Sequence, residues 1–238
     1  MVTDIVTSDY RTASVFRKYN IDFCCGAKIP LETACTMRGL SVETVKSDLE
    51  NAIRTISVST SLRFDEWKLD FMADYIVRMH HDYLKTALPE TMEFLKRFAD
   101  GHRKKYGYLT ELENVFLDLI QEMLPHLTQE EEILFPYIRQ IAHAYYNNEP
   151  YAGLLVRTLS KPVADVMKHE HETVSRVLNR MRELTGNYAA PQNACTSHKV
   201  AFLKLLEIDN DLVQHMHLEN NILFPKAIAM EKEMLQRK

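Results

Sequence analysis

The chain has too little of several things to belong to several classes of protein. No segment of its 238 residues approaches the roughly 20 consecutive apolar residues that a membrane-spanning helix needs. The N-terminal MVTDIVTSDYRTASV lacks the apolar core of a secretion signal. A cytoplasmic protein with no membrane partner is the expectation. Basic charge is not in excess: 29 Lys and Arg stand against 33 Asp and Glu, and the only compact basic run is His102–Lys105, so no nucleic-acid partner is expected. Four cysteines cannot build a dense disulfide scaffold at this length. Six glycines and eight prolines leave few places to turn, which, with abundant Leu, Glu, Lys and Met, predicts long helices.

What is present is a repeat. HLTQEEEILFP at His126–Pro136 returns as HMHLENNILFP at His215–Pro225. Each copy sets a histidine four residues before a glutamate, His126 with Glu130 and His215 with Glu219. On an α-helix such residues share a face, so each copy aims one imidazole and one carboxylate at the same point. A second feature also recurs, RMHHDY around His81 and KHEHET around His171, and the two offsets are 89 and 90 residues. A period kept by two separate features argues for a duplicated helical hairpin, in which two hairpins pair to bury what neither buries alone. The expected fold class is all-α: an up-down four-helix bundle over residues 61–238, preceded by a small helical domain over 1–60 that carries Cys24 and Cys25.

Within the small domain, TASVFRKYN places Ala13 and Phe16 on helical spacing, residues 22–26 read as a cysteine-bearing turn, LETACTMRGL is a short helix closed by Gly39, and Ser41 caps SVETVKSDLENAIR. A linker rich in Ser and Thr follows at roughly 56–64. The first bundle helix starts near Asp65, breaks or kinks at Leu88-Pro89 and continues to Gly101. The second runs from Leu109 to about Tyr145, the third from about Val163 to Leu184, and the fourth from near Ser197 towards the C-terminus. Pro136 and Pro225, each ten residues after its repeat histidine, predict a bend in the second and fourth helices.

Two helices that supply His-x-x-x-Glu and two that supply one His give four imidazoles and two carboxylates around one axis. Without thiolates in the set, that mixture suits iron or manganese better than zinc, and the count is that of a dinuclear site. A single His-x-x-x-Glu is more often a solvated surface pair, so it is the matched context of two copies that argues for metal. His80 and His81 point about 100° apart on an α-helix, so only one is expected to face the axis. The ninety-residue offset favours His81, and selects His171 over His169. His217 is expected to face away, and His102, His143 and His198 to be solvated flanking residues. Glu131, Glu132 and Glu172 are expected in solvent too, with Glu172 the candidate for orienting a ligand histidine.

These residues resemble a family. HH near the start of one helix, H-x-x-x-E with ILFP on the next, EHE on the third and HLENNILFP on the fourth are similar to the hemerythrin-like HHE di-iron bundle. FRKYNIDFCCGAKIPLETAC resembles the short domain that precedes this bundle in the iron-sulfur cluster repair di-iron proteins, also called the repair of iron centres family. The resemblance implies two non-haem irons held by His81, His126, Glu130, His171, His215 and Glu219. It implies repair of iron-sulfur clusters damaged by nitric oxide or oxidants, by supplying iron or handling nitric oxide. Partners would then be damaged iron-sulfur proteins and nitric oxide or oxygen species, with a homodimer as a further expectation. Cys24 and Cys25 match the family's cysteine motif and are expected to act as accessory thiols. Adjacent cysteines close a mutual disulfide only with strain, which leaves ligation, thiol exchange or nitrosation. Ala27 stands where the family commonly has glycine, and Cys35 and Cys195 are expected to be packing residues. The alternative readings are a hemerythrin-like oxygen or nitric oxide binding or sensor protein, and a di-iron nitric oxide or peroxide reductase.

Overall fold

The computed structural model describes residues 1–9, 11–23, 29–53, 62–159 and 163–236. Among them are twelve α-helices and no strand. The N-terminal unit holds α1 (Val2–Ser8), α2 (Thr12–Lys18), α3 (Leu31–Met37) and α4 (Val42–Ile53). Ala13 and Phe16 form the buried face of α2, and Val45 and Leu49 that of α4. Ser41 Oγ accepts from the Thr44 N–H at 3.3 Å, the N-cap its position predicts. Gly39 ends α3 at φ +66°, a left-handed conformation that a Cβ would strain. Sequence reading missed α1, whose buried face is the pair Val2 and Val6.

Four helical arms follow. The first is α5 (Leu69–Ile76), a π-helical turn (Val77–His81) and α6 (Asp82–His102). The second is α7 (Leu109–Gln129), a π turn (Glu130–Leu134) and α8 (Phe135–Tyr146). After a short α9 (Ala152–Leu159), α10 (Val163–Thr185) is the third, and α11 (Thr196–Leu218), a π turn (Glu219–Leu223) and α12 (Phe224–Gln236) form the fourth. α6 packs on α7 and α11, and α10 packs on the same two, which closes the up-down four-helix bundle.

Two of the π turns account for Pro136 and Pro225. Phe135 N–H donates to the Glu130 carbonyl and Phe224 N–H to that of Glu219, five residues back rather than four. Each widened turn ends directly before Pro136 or Pro225, whose ring would otherwise meet the carbonyl four residues behind it. The expected bend is thus replaced by a local widening of the helix. Pro89 produces no break: α6 runs through it, and because Pro89 is exposed, water can serve the carbonyl that loses its partner. Sequence reading also missed α9, which packs against α12 so closely that a Cβ on Gly153 would lie 3.3 Å from the Met234 carbonyl oxygen.

The apolar interior is in two parts. One joins Leu84, Leu95, Leu112, Phe116, Leu205 and Leu212 of the bundle to Val2, Phe16, Phe23 and Cys35 of the N-terminal unit. Phe23 stacks on Phe94 of α6 with ring centroids 6.4 Å apart. The other gathers Leu69, Met72, Ile76, Phe135, Ile138, Leu223 and Phe224. Between them lies a layer of histidines and glutamates, which an interior holds only when something compensates their desolvation.

Candidate metal centre

Six side chains from all four arms meet in that layer. His81 closes the first π turn, His126 and Glu130 end α7, His171 projects from α10, and His215 and Glu219 end α11. Each is at most 4% exposed. His81 Nε2 faces His215 Nε2 at 3.1 Å, and His171 Nε2 faces His126 Nε2 at 3.2 Å. The glutamates bridge the two pairs. Glu130 sets Oε2 3.4 Å from His81 and Oε1 3.3 Å from His126, while Glu219 sets Oε1 2.9 Å from His215 and Oε2 3.4 Å from His171. Two donor sets result, His81, Glu130, His215, Glu219 and His126, Glu130, His171, Glu219, each with its atoms within 4.8 Å of one another. Both carboxylates belong to both sets.

These atoms approach without pairing. None of the four glutamate oxygens has a hydrogen-bond partner, although Glu219 Oε1 is only 2.9 Å from His215 Nε2. Buried carboxylates left this way are rare, and lone pairs that converge on common points rather than on each other's protons are what cations require. Imidazole nitrogen and carboxylate oxygen, with no thiolate, fit a pair of non-haem irons.

Electrostatics separate the two carboxyls. Burial opposes charge on Glu130, but the imidazoles of His126 and His81 outweigh it and keep this group well below the usual carboxylate range. Burial and the neighbouring Glu130 drive Glu219 well above that range. Burial also holds His215 neutral, pushed down to about 3, which is the form that ligates metal.

The imidazoles are oriented from outside. His81 Nδ1–H donates to Glu131 Oε1 at 2.8 Å, and Glu131 also accepts from Lys85 Nζ at 2.7 Å. His171 Nδ1–H donates to Asn220 Oδ1 at 3.0 Å. Each bond fixes the tautomer that leaves Nε2 bare towards the centre.

The comparisons agree with this geometry. Residues 72–227 match the hemerythrin HHE cation binding domain, and residues 1–53 match ScdA_N, a domain of unknown function (DUF542). The chain is 31% identical over 221 residues to the iron-sulfur cluster repair protein YtfE of Dickeya chrysanthemi, covering 93% of each chain. The chain belongs to the YtfE family of iron-sulfur cluster repair proteins. Other YtfE relatives are those of Edwardsiella ictaluri, 32% identical with 95% of each chain covered, and Shigella boydii, 31% identical with 96% of each.

In this member of the YtfE family all six residues singled out by the repeat come together, while Cys24, Cys25 and the side chain of His169 lie outside the described residues. Several neighbours need correction. His80 is buried beside His81, because five residues spread round the wider π turn bring adjacent side chains onto one side. Its Nδ1 lies 2.9 Å from Asp211 Oδ1, and its ring stacks on His215 at 5.8 Å. Glu131 is not a solvated residue but the partner of His81; Glu132 and Glu172 are exposed, and Asn220 rather than Glu172 orients His171. Glu131 and Asn220 each directly follow a repeat glutamate, a register the sequence displays. His198 is fully buried, with Nε2 2.9 Å from Tyr108 Oη, and His102 sits 3.4 Å from Cys195 Sγ. His217 and His143 are exposed as expected, and Cys35 is buried.

Proposed function

We propose that this chain repairs iron-sulfur clusters in damaged client proteins by means of a di-iron centre held by His81, His126, Glu130, His171, His215 and Glu219. The observation that carries the reading is the pair of donor sets that share both carboxylates, whose oxygens have no other partner. His81 and His215 would hold one iron and His126 and His171 the other, with Glu130 and Glu219 available to both. Iron held there supplies a redox-active Lewis-acid pair for nitric oxide or oxygen species. The chain's own residues do the rest. Glu131 and Asn220 hold protons on the outer nitrogens of His81 and His171 so that the inner ones stay free to ligate. The apolar halves above and below the layer limit the entry of water. Because both carboxylates belong to both donor sets, one iron would be released without displacing a helix.

Cys24 and Cys25 enter this reading as accessory thiols of the unit spanning 1–60, with 61–238 as the di-iron bundle. Phe23, next to the pair in sequence, is anchored on Phe94, thirteen residues along α6 from His81 and so about 20 Å of helix away. A cytoplasmic setting and a homodimer complete the proposal. The test is to quantify iron in the purified protein and to assay reactivation of an iron-sulfur enzyme inactivated by nitric oxide. Reactivation beyond that given by the same amount of free ferrous iron is expected. Two bound irons with no such gain would remove the repair role and leave the metal centre standing.

A further inference from the structure

Beside the core-facing stripe of α5 runs a second, wetter one. Leu69, Met72, Ala73 and Ile76 are the buried residues of this helix. Phe71 and Tyr75, four residues apart, share another face, and Trp67, on the extended stretch just before α5, packs onto it; Phe71 remains 54% exposed, and Trp67 and Tyr75 are half-buried. Trp67 is the chain's single tryptophan. Its ring lies 4.8 Å from that of Phe71 and 5.1 Å from that of Tyr75, centroid to centroid. Tyr75 meets His80 edge-on at 5.8 Å, and His80 stacks on His215 at 5.8 Å with the rings 10° from parallel. On an unbroken α-helix residue 80 would sit about 140° round from residue 75. The π turn at Val77–His81, whose hydrogen bond spans five residues rather than four, widens the helix and brings His80 back towards the row, where its ring meets that of Tyr75. Ring therefore follows ring from the surface to a histidine of the metal layer.

Tryptophan and tyrosine are the aromatic side chains that lose one electron most readily, and electron transfer falls off steeply with separation, so rings in contact favour it. We propose that Tyr75 and Trp67 form a conduit by which oxidising equivalents leave the centre for the surface of α5. This rests on the reading of His215 as a ligand. Of the two electrons that reduce a peroxide to water, iron held in the layer would supply one and Tyr75 the other, across His80, with the phenolic proton passing to water. Trp67 then returns an electron to Tyr75, which regains a proton from water. The oxidised Trp67 takes one electron at the surface from a small thiol, whose proton passes to water, and the thiyl radicals left by two such turns join as one disulfide. Imidazole is hard to oxidise, so His80 acts as the contact between the two stages, held in place by Asp211. Trp67 and Tyr75 also pack against the apolar half that holds Leu69 and Phe135, so the row is held in place while its outer edge stays in water.

The test treats iron-loaded protein with hydrogen peroxide in the absence of thiol, follows radicals by freeze-quench EPR and maps oxygen adducts by peptide mass spectrometry. Wild type should show an aromatic radical and oxygenated Trp67. Tyr75→Phe keeps the ring and the packing but removes the oxidisable phenol, and Trp67 oxygenation should fall to the level of the metal-free protein. Met79, 51% exposed and next to His80, reports peroxide in bulk solution and should oxidise equally in both. Iron bound normally with Trp67 oxygenated equally in wild type, Tyr75→Phe and metal-free protein overturns the conduit alone. Failure of the wild type to bind iron overturns the conduit together with the ligand reading.

Discussion

Replacing Glu219 with leucine should change the stability of the protein in opposite directions depending on whether iron is present. In the metal-free protein Glu219 is fully buried, held protonated by burial and by Glu130, and neither oxygen is hydrogen-bonded. A buried polar group left unpaired costs about 1–3 kcal/mol, and leucine, of similar volume, needs no partner. The metal-free variant should be more stable than wild type by about 2 kcal/mol, which for a chain of this size raises Tm by about 4–8 °C. With iron the sign reverses. Ligand binding stabilises the native state by about 2.7 kcal/mol at one hundred times Kd and about 4.1 kcal/mol at one thousand times, and the variant forfeits this because Glu219 belongs to both donor sets. Calorimetric scans of both proteins, with chelator and with saturating ferrous iron, and iron analysis of each sample, read both signs. A metal-free variant less stable than wild type would show that the carboxyl has a partner, and refute the picture of lone pairs converging on cations. A variant that kept both irons would refute Glu219 as a ligand.

Three further outcomes follow from the same geometry. His126 lies in one donor set and Glu130 in both, so His126→Ala should lose one of the two irons and Glu130→Ala both; equal stoichiometry in the two variants would contradict the shared carboxylates. Glu131→Gln weakens the brace on His81 and should lower iron affinity by about 10–100-fold in a chelator competition, whereas the exposed Glu132→Gln should change nothing. Burial, with the charges of His102 and Lys105, pushes His198 down to about 4 from 6.5. As pH falls through that window the unfolded chain takes up a proton that the folded chain refuses, so folding stability should drop by up to about 3 kcal/mol towards pH 4. His198→Asn should lose that part of the acid sensitivity in urea unfolding of metal-free protein, and parallel losses in the two proteins would rule it out.

The bundle could be read from sequence because its helices carry long apolar stripes, such as Leu112, Phe116, Leu119 and Met123, and because duplication repeats the metal-layer pattern. Two of the errors, over His80 and the prolines, share one physical source. An ideal α-helix turns its side chains by a fixed angle per residue, while the three π turns change that step just where the polar layer lies. That hid His80, and it turned the prolines into expected bends. Glu131 looked solvated because one residue beyond a buried glutamate normally points outward; its partners, His81 and Lys85, come from another arm, and no local pattern announces them. His198 was read as flanking because its neighbours Tyr106 and Tyr108 lie some ninety residues away in sequence. The short α1 and α9 carry too few residues to display a period, and their burial is decided by distant helices.

The N-terminal unit and one half of the bundle share a single apolar interior, with Phe23 laid on Phe94 and Val2, Phe16 and Cys35 in the same cluster as Leu95 and Leu205. The bundle therefore does not end in a finished surface on that side. Shortened to its metal-binding portion, the chain would present a greasy face in place of a polar one and would tend to self-associate. The two parts have to be inherited, expressed and engineered together, and a chimera that exchanges the small unit must also match the wall on which it rests.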